Sequence, residues 1–244
     1  SDMNHPSLEL NIVSHCTNLC VGCSHFSPIL PRSYMHLDQI EKDLAMLKPV
    51  LHVGLLKFLG GEPLLHPQLV DIIKIGKASG IADKVGILTN GQLLNGMPNE
   101  FWQNVDFVHV QRYPGKLTDV QVAWMEGFAE QVGVELVVRP LDKFYKTLRN
   151  EQRTDAANYF RDCYNTKNCT AVDNGYMYLC AQSIYIPGLK DESNRQEGLK
   201  LTDHLTEHDI WSFLNSEAPR MSCAWCVRDE HYFDWHETTR ENWL

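Results

Sequence analysis

Apolar runs of strand length alternate with amphipathic runs of helix length from residue 7 to residue 140. LELNIV, VGLLKFLG, KVGILTNG, FVHVQR and VELVVRP read as strands. HLDQIEKDLAMLKPV puts Ile40, Leu44 and Leu47 on one helical face, and NEFWQNV reads as a short helix. QLVDIIKIGKASG and DVQVAWMEGFAEQVG read as helices stopped at Gly80 and Gly133. Repeated strand–helix units require a parallel sheet with right-handed crossovers. Five strands are fewer than a closed (β/α)8 barrel uses. The expected class is therefore α/β, an open partial parallel β/α barrel.

The alternation stops near Pro140, and polar, turn-rich segments carrying five cysteines follow. CTAVDNGYMYLC reads as a hairpin turning at Asp-Asn-Gly, and HDIWSFLNS as a short helix. Apolar runs are too sparse here for a large core, and a bound metal group would supply the missing stability. The chain thus divides into a barrel, residues 1–140, and a small C-terminal unit, residues 141–244.

Composition excludes several classes. The 244 residues carry a net charge of −9 without a Lys/Arg-rich run, which argues against nucleic acid as a partner. No apolar run approaches the ~20 residues of a membrane span. Ser1-Asp2-Met3 reads as a cloning remnant, with no signal peptide before the first strand. The expected location is the cytosol, where eight cysteines serve as metal ligands or catalytic groups more readily than as disulfides.

Cys16, Cys20 and Cys23, in HCTNLCVGC, follow the first strand directly. Three thiolates on one tight loop are one ligand short of closing a four-iron cluster, leaving one iron free to bind something else. The competing reading is zinc, which usually takes four ligands from paired C-x2-C hooks. Gly60-Gly61-Glu62-Pro63 follows the second strand and Thr89-Asn90-Gly91 the third, at the carboxyl mouth where parallel sheets bind ligands. Each alone also reads as an ordinary turn. Downstream lie Cys163, Cys169, Cys180, Cys223 and Cys226. A hairpin cysteine and a distant C-x2-C pair can close a four-cysteine cage, on geometry alone a zinc ribbon.

Together, C-x3-C-x2-C, GGEP and TNG at three successive strand ends resemble the radical S-adenosylmethionine superfamily, over roughly residues 7–140. The resemblance implies a 4Fe–4S cluster on Cys16, Cys20 and Cys23, whose open iron chelates the methionine part of S-adenosylmethionine. Glu62 and the backbone of Gly60, Gly61 and Pro63 would hold the methionine ammonium, with Thr89 and Asn90 at the same mouth. A 5′-deoxyadenosyl radical would then abstract hydrogen from substrate. The family usually has an aromatic residue before the third cysteine. Here it is Gly22, and Phe26 is the candidate to replace it against adenine. Gln111, Arg112 and Arg139 end later strands, and Arg112 is a candidate for a carboxylate, with a structural salt bridge as the alternative.

The C-terminal cysteines resemble the Twitch domain, the short form of the SPASM extension, which carries one auxiliary 4Fe–4S cluster. Cys163, Cys180, Cys223 and Cys226 would be its ligands, with Cys169 competing for the place of Cys163. Spacing and length resemble aminocyclitol dehydrogenases of the butirosin-pathway type and related carbohydrate-modifying members. The expected function is alcohol oxidation of a polar carbohydrate or aminocyclitol substrate, with flavodoxin or ferredoxin as reductant. The alternative is an epimerase in which Cys169 returns a hydrogen atom; otherwise Cys169 is a small buried hydrophobe. A peptide-modifying enzyme and a non-enzymatic iron–sulfur protein are further alternatives. His25, His66, Tyr232, Trp235 and His236 are candidates to line the mouth, although the simpler reading of the aromatic tail is packing across the barrel bottom. Asp173, Asp234 and Glu237 are the base candidates.

Overall fold

The computed structural model describes residues 4–191, 196–227 and 231–243. Ser1-Asp2-Met3 lies outside them. The first half runs β1 (Asn4–Val13), α1 (Leu37–Leu47), β2 (His52–Gly60), α2 (Leu69–Ser79), β3 (Ala82–Thr89), α3 (Asn99–Asn104), β4 (Phe107–Arg112), α4 (Asp119–Val132) and β5 (Glu135–Pro140). Then come β6 (Lys143–Phe144), α5 (Ala156–Arg161), α6 (Tyr164–Asn168), β7 (Ala171–Asp173), β8 (Tyr176–Tyr178), α7 (Gln182–Leu189), β9 (Leu199–Lys200), α8 (Glu207–Leu214) and β10 (Phe233–Asp234). Every strand and helix read from the first 140 residues is present. Gly80 and Gly133 end α2 and α4 in the left-handed conformation, φ 63° and 75°.

The main sheet has eight strands in the order β5-β4-β3-β2-β1-β7-β8-β9. β1 to β5 are mutually parallel, β7 is parallel to β1, and β8 and β9 run antiparallel. The sheet does not close: β5 and β9 are its edges. The predicted open barrel is therefore present, with six parallel strands instead of five.

The boundary expected at residue 140 marks a change of composition, not of sheet. β7 pairs with the second edge of β1, Glu9 opposite Ala171 and Leu10 opposite Val172. Val172, Met177, Leu201 and Ile210 join the core that holds Leu8, Leu10, Leu56 and Ile87. A buried first strand needs neighbours on both edges, and the hairpin supplies the second one. That hairpin turns at Asn174 and Gly175, φ 45° and 83°, as Asp-Asn-Gly predicts.

Strand alternation sorts the two faces of the sheet. Leu8, Leu10, Ile12, Leu56, Phe58, Val85, Ile87, Val108 and Val110 pack in the core with α1, whose Ile40, Leu44 and Leu47 are fully buried. Each such side chain stabilises the fold by roughly 1.5–3 kcal/mol. The alternate positions place Glu9, Asn11, Lys57, Leu59, Leu88, His109 and Gln111 on the concave face. That face is largely polar.

Candidate active site

The loop after β1 is held by backbone contacts with the loop after β2. Gly61 N–H donates to Val13 O at 2.7 Å and Glu62 N–H to His15 O at 2.9 Å. The approach is so close that a Cβ on Gly61 would lie 2.0 Å from His15 O, and one on Gly60 2.2 Å from Val13 O. Glycine is the residue type that fits here. The GGEP and cysteine loops are thus one backbone unit.

Glu62 joins the third loop to this unit. Its side chain is fully buried. Oε1 accepts from Leu64 N–H at 3.0 Å and from Thr89 Oγ1 at 2.6 Å, and Oε2 accepts from Asn90 N–H at 2.9 Å. Burial pushes the Glu62 carboxyl above its usual range despite these donors. Asn90 Nδ2 in turn donates to Thr17 Oγ1 at 2.8 Å and reaches Cys16 Sγ at 3.6 Å. Gln92, unremarked in the sequence, donates to Asn18 Oδ1 at 2.8 Å.

Beneath the loops lies a cavity of about 230 Å³. Cys16, Cys20, Cys23, Gly60, Gly61, Thr89 and Asn90 line it, with Asn18, His25, Ser27, Gln111, Tyr113 and Phe144. Glu62 and Pro63 are not lining residues; they act through the backbone they position. Three lining side chains carry buried polar atoms without hydrogen-bond partners, Asn18 Nδ2, His25 Nε2 and Ser27 Oγ. Buried polar groups are normally paired, so three orphans around one cavity fit a polar ligand. Burial, with the charges of Glu62 and Cys23, pushes the Cys16 thiol up to about 11; burial, with those of Cys23 and Cys16, pushes Cys20 to about 12, and burial raises Cys23. Three neighbouring thiols whose pKa values burial raises are a donor set that a strongly cationic group would ionise. Burial holds His25 neutral, its pKa lowered to about 4. Tyr113, missed in the sequence, is raised well above its ordinary value by burial and by the nearby Cys20, Cys23 and Cys16.

The C-terminal segment lies over the cysteine loop, opposite to the expectation that it packs across the barrel bottom. Val21 N–H donates to His236 O at 3.1 Å, and Thr238 N–H to Leu19 O at 3.0 Å. Cys20 forms an antiparallel bridge with Glu237. Glu237 Oε1 accepts from Leu19 N–H at 3.1 Å, and Oε2 pairs with Lys116 at 2.6 Å. Trp243 Nε1 donates to Cys20 O at 2.8 Å. β10 pairs with β6, which places Phe144 in the cavity wall.

Several expectations need correction. Phe26 is fully buried, edge-on to Tyr185 and Trp243 in a small satellite core with Leu148 and Ile186, so it is not in the cavity. Arg112 pairs with Asp119 at 2.6 Å and donates to Leu117 O at 3.0 Å, the structural salt bridge. Arg139 is exposed at the end of β5. Both His66 nitrogens are used: Nε2 donates to Met35 O at 3.0 Å, and Nδ1 accepts from Gln68 N–H at 3.1 Å. Tyr232 and His236 are exposed. Asp234 pairs with Lys143, Glu237 is occupied as described, and Asp173 meets Asn174 at 3.2 Å. None of these three lines the cavity.

Cys163, Cys180 and Cys223 each raise the Cys226 thiol, after burial as the first cause. Cys223 is pushed to about 12 by burial and by Cys180 and Cys163, and Cys180 to about 11 by burial. Cys169 keeps other company. Burial and then Glu9 push it to about 12, with smaller effects from Cys180 and Cys163, and its Sγ reaches Asn165 Oδ1 at 3.9 Å. It does not line the cavity below the first three cysteines. The C-A-W-C hook is held by Arg149 N–H on Trp225 O and Arg153 N–H on Ala224 O, both 2.8 Å. Glu197 accepts from Ser222 N–H at 2.8 Å. Among the described residues, no three His, Cys, Asp or Glu side chains converge on a site for a single metal ion. No helix among them is long and apolar enough to cross a membrane.

No protein-family model matches the chain. Over 89 residues it is 35% identical to a GTP 3′,8-cyclase of Chlorobaculum tepidum, covering 36% of this chain and 26% of that one. Over 142 residues it is 28% identical to a GTP 3′,8-cyclase of Rhodopirellula baltica, covering 57% and 38%. These matches thus span well under half of the curated relatives' length. The fold is similar to that of BtrN in complex with AdoMet and 2-DOIA, TM-score 0.54, 14% identity, covering 88% of this chain and 84% of that one. It is also similar to anSMEcpe with bound AdoMet, TM-score 0.55, 13% identity, covering 84% and 80%. With its three-cysteine loop, GGEP and TNG on an open parallel sheet and these likenesses beside them, the chain resembles the radical S-adenosylmethionine superfamily.

Proposed function

We propose that this enzyme oxidises an alcohol carbon of a polar small molecule, of carbohydrate or aminocyclitol type, by removing a hydrogen atom from its C–H bond. The observation that carries the reading is the single cavity bordered by three cysteines, two close-packed glycines and three unpartnered polar groups. A 4Fe–4S cluster with S-adenosylmethionine supplies a 5′-deoxyadenosyl radical when both are bound. Cys16, Cys20 and Cys23 hold the cluster. Ser27, Asn18 and His25 offer the polar contacts, and the Gly60-Gly61 backbone forms the wall. Phe144 and Tyr113 give the aromatic surface that Gly22 does not.

Below this site the concave face offers Gln111, His109, Lys57 and Glu9, which suits a substrate rich in hydroxyl or amino groups. Glu9 and Lys57 form a 3.6 Å ion pair beside Cys169. Cys163, Cys180, Cys223 and Cys226 hold an auxiliary 4Fe–4S cluster. The cluster reading rests on the resemblance of these cysteines to the Twitch pattern; on ligand type alone four thiolates also suit zinc. Oxidation is placed ahead of epimerisation on the spacing of the C-terminal cysteines; Cys169 is not part of the wall lined by Cys16, Cys20 and Cys23. The C-terminal residues 141–244 act as a unit by virtue of this cysteine cage, although they share the barrel sheet.

The test is anaerobic reconstitution with iron and sulfide, then reduction in the presence of S-adenosylmethionine and candidate substrates, with GTP included because the curated relatives are GTP 3′,8-cyclases. The expected result is 5′-deoxyadenosine with an oxidised aminocyclitol or sugar. A cyclised nucleotide in its place would assign the relatives' reaction instead. Turnover in deuterated water separates the remaining pair. Identical oxidised product from wild type and Cys169→Ala is expected, whereas deuterium at the product carbon in wild type only would make the enzyme an epimerase.

A further inference from the structure

Oxidising an alcohol requires a group that accepts the hydroxyl proton, and Asp173, Asp234 and Glu237 do not line the cavity. His109 of β4 stands beside it. His109 is in register with Leu88 on β3 and with Val137 on β5. Leu88 lines the cavity, and so does Gln111, two residues along the same face of β4. Neighbouring strands lie about 4.8 Å apart, so His109 is the next side chain in the row of Leu88. The cavity's volume of about 230 Å³ falls below the roughly 300–1,000 Å³ of a small-molecule pocket. Two reactants therefore extend onto the adjoining concave face, where Lys57, Leu88, His109, Gln111 and Val137 are all partly exposed. The His109 ring packs on Phe107, 4.8 Å between centroids, and makes no hydrogen bond among the described residues. Burial, then Lys57 and Arg139, lower its pKa from 6.5, with Glu135 opposing. At neutral pH the imidazole is uncharged and keeps a free lone pair, as a base must. The other titratable groups nearby are committed. Glu62 accepts from Leu64, Thr89 and Asn90, Glu9 pairs with Lys57 at 3.6 Å, and the raised Tyr113 phenol keeps its proton.

We propose that His109 is the catalytic base of the oxidation, accepting the substrate's hydroxyl proton at the carbon that has lost its hydrogen atom. The inference rests on the alcohol-oxidation reading given above. Removal of the hydrogen atom leaves one unpaired electron on the carbinol carbon, which makes the adjoining O–H more acidic than that of an alcohol. The O–H bond breaks, its proton goes to an imidazole nitrogen, and its electron pair stays on oxygen. One electron then leaves for the oxidised auxiliary 4Fe–4S cluster, which is reduced by one electron as the C=O double bond forms. Lys57 and Arg139 disfavour the imidazolium that results. The partly exposed ring then returns its proton to water.

Diethyl pyrocarbonate, which acylates accessible neutral imidazoles, tests for the free nitrogen in the full reconstituted chain at neutral pH. Peptide mass spectrometry is expected to find His109 modified alongside exposed His204, and an unmodified His109 overturns the proposal. The second arm gives His109→Gln the sugar or aminocyclitol that the wild type oxidises. The variant is expected to keep forming 5′-deoxyadenosine while oxidised product per 5′-deoxyadenosine falls by about 10²–10⁴-fold. A substrate radical should accumulate in its freeze-quenched EPR spectrum. Equal falls in 5′-deoxyadenosine and oxidised product mark a structural role and overturn the proposal. If His109→Gln does not load iron, the pH dependence of the same ratio in wild type decides. A protonated imidazole cannot accept, so the ratio is expected to fall as pH drops through a value below 6.5. A ratio flat down to about pH 5 overturns the proposal. A wild type that oxidises no sugar or aminocyclitol removes the oxidation reading and this proposal together, whereas normal oxidation by His109→Gln removes this proposal alone.

Discussion

Gly22 occupies the place where the superfamily usually has an aromatic residue, and the reason is local. Its φ is +76°, and a Cβ there would lie 2.2 Å from Tyr145 O and 3.3 Å from the Phe233 ring. The C-terminal half has taken the space that a side chain would fill. Gly22→Ala is therefore expected to cost about 2 kcal/mol or more and to reduce iron loading, read by thermal unfolding and by iron analysis. Lys57 makes a different test. Burial raises the Glu9 carboxyl above its ordinary 4.5, and Lys57 is the main influence holding it down. A carboxyl with a raised folded pKa stabilises the fold below its unfolded value, and that contribution is lost as pH climbs through the folded one. Lys57→Met should raise the folded value further, so the variant should lose stability relative to wild type as pH rises above 4.5. Urea unfolding across pH 4 to pH 8 reads the difference, and a constant gap across that range would reject it. In the sequence the three thiols were legible because spacing alone identifies them. Tyr113, Phe144 and Ser27 were not, because membership of a cavity wall depends on which loops fold over it.

Elements explain why the expected mouth residues were divided. Strand ends were legible from apolar runs, and so were the loops that follow them. What the runs do not encode is the second neighbour of β1, or the route of residues 233–243. The strap is an element in its own right: it adds backbone bonds to Leu19 and Val21 and fills a satellite core with Trp243. Truncation after residue 232 should leave the far-UV circular dichroism of the α/β layer intact. Amide exchange at Leu19 and Val21 should accelerate by orders of magnitude, as local opening replaces a bonded edge. Unchanged protection at those two amides would show that the strap is dispensable. At a smaller scale α4 starts with a reciprocal capping box between Thr118 and Gln121. Thr118→Ala should cost about 1 kcal/mol in chemical denaturation, with little effect on ligand binding.

For the whole molecule, the continuous sheet couples two chemically distinct halves. β7 to β9 extend the barrel sheet, while the proposed cage of Cys163, Cys180, Cys223 and Cys226 depends on segments such as Arg149–Arg153 and Glu197, whose hydrogen bonds hold the C-A-W-C hook. Replacing Cys180 and Cys223 together by alanine should therefore lower iron content without destroying the response to S-adenosylmethionine at the first site. Loss of both at once would mean that the two sites fold as one. The strap has a consequence for biosynthesis. The loop at residues 16–23 is among the first parts of the chain to be made, yet Cys20 O awaits a donor 223 positions later. At about 5–20 residues per second, on the order of ten seconds or more separates the two. During that interval the three thiols stand on an unfinished edge, without the cover that later buries them. A cluster on these thiols would lack this cover until residue 243 is made, so the order of translation predicts that productive iron insertion follows synthesis of the C-terminal segment.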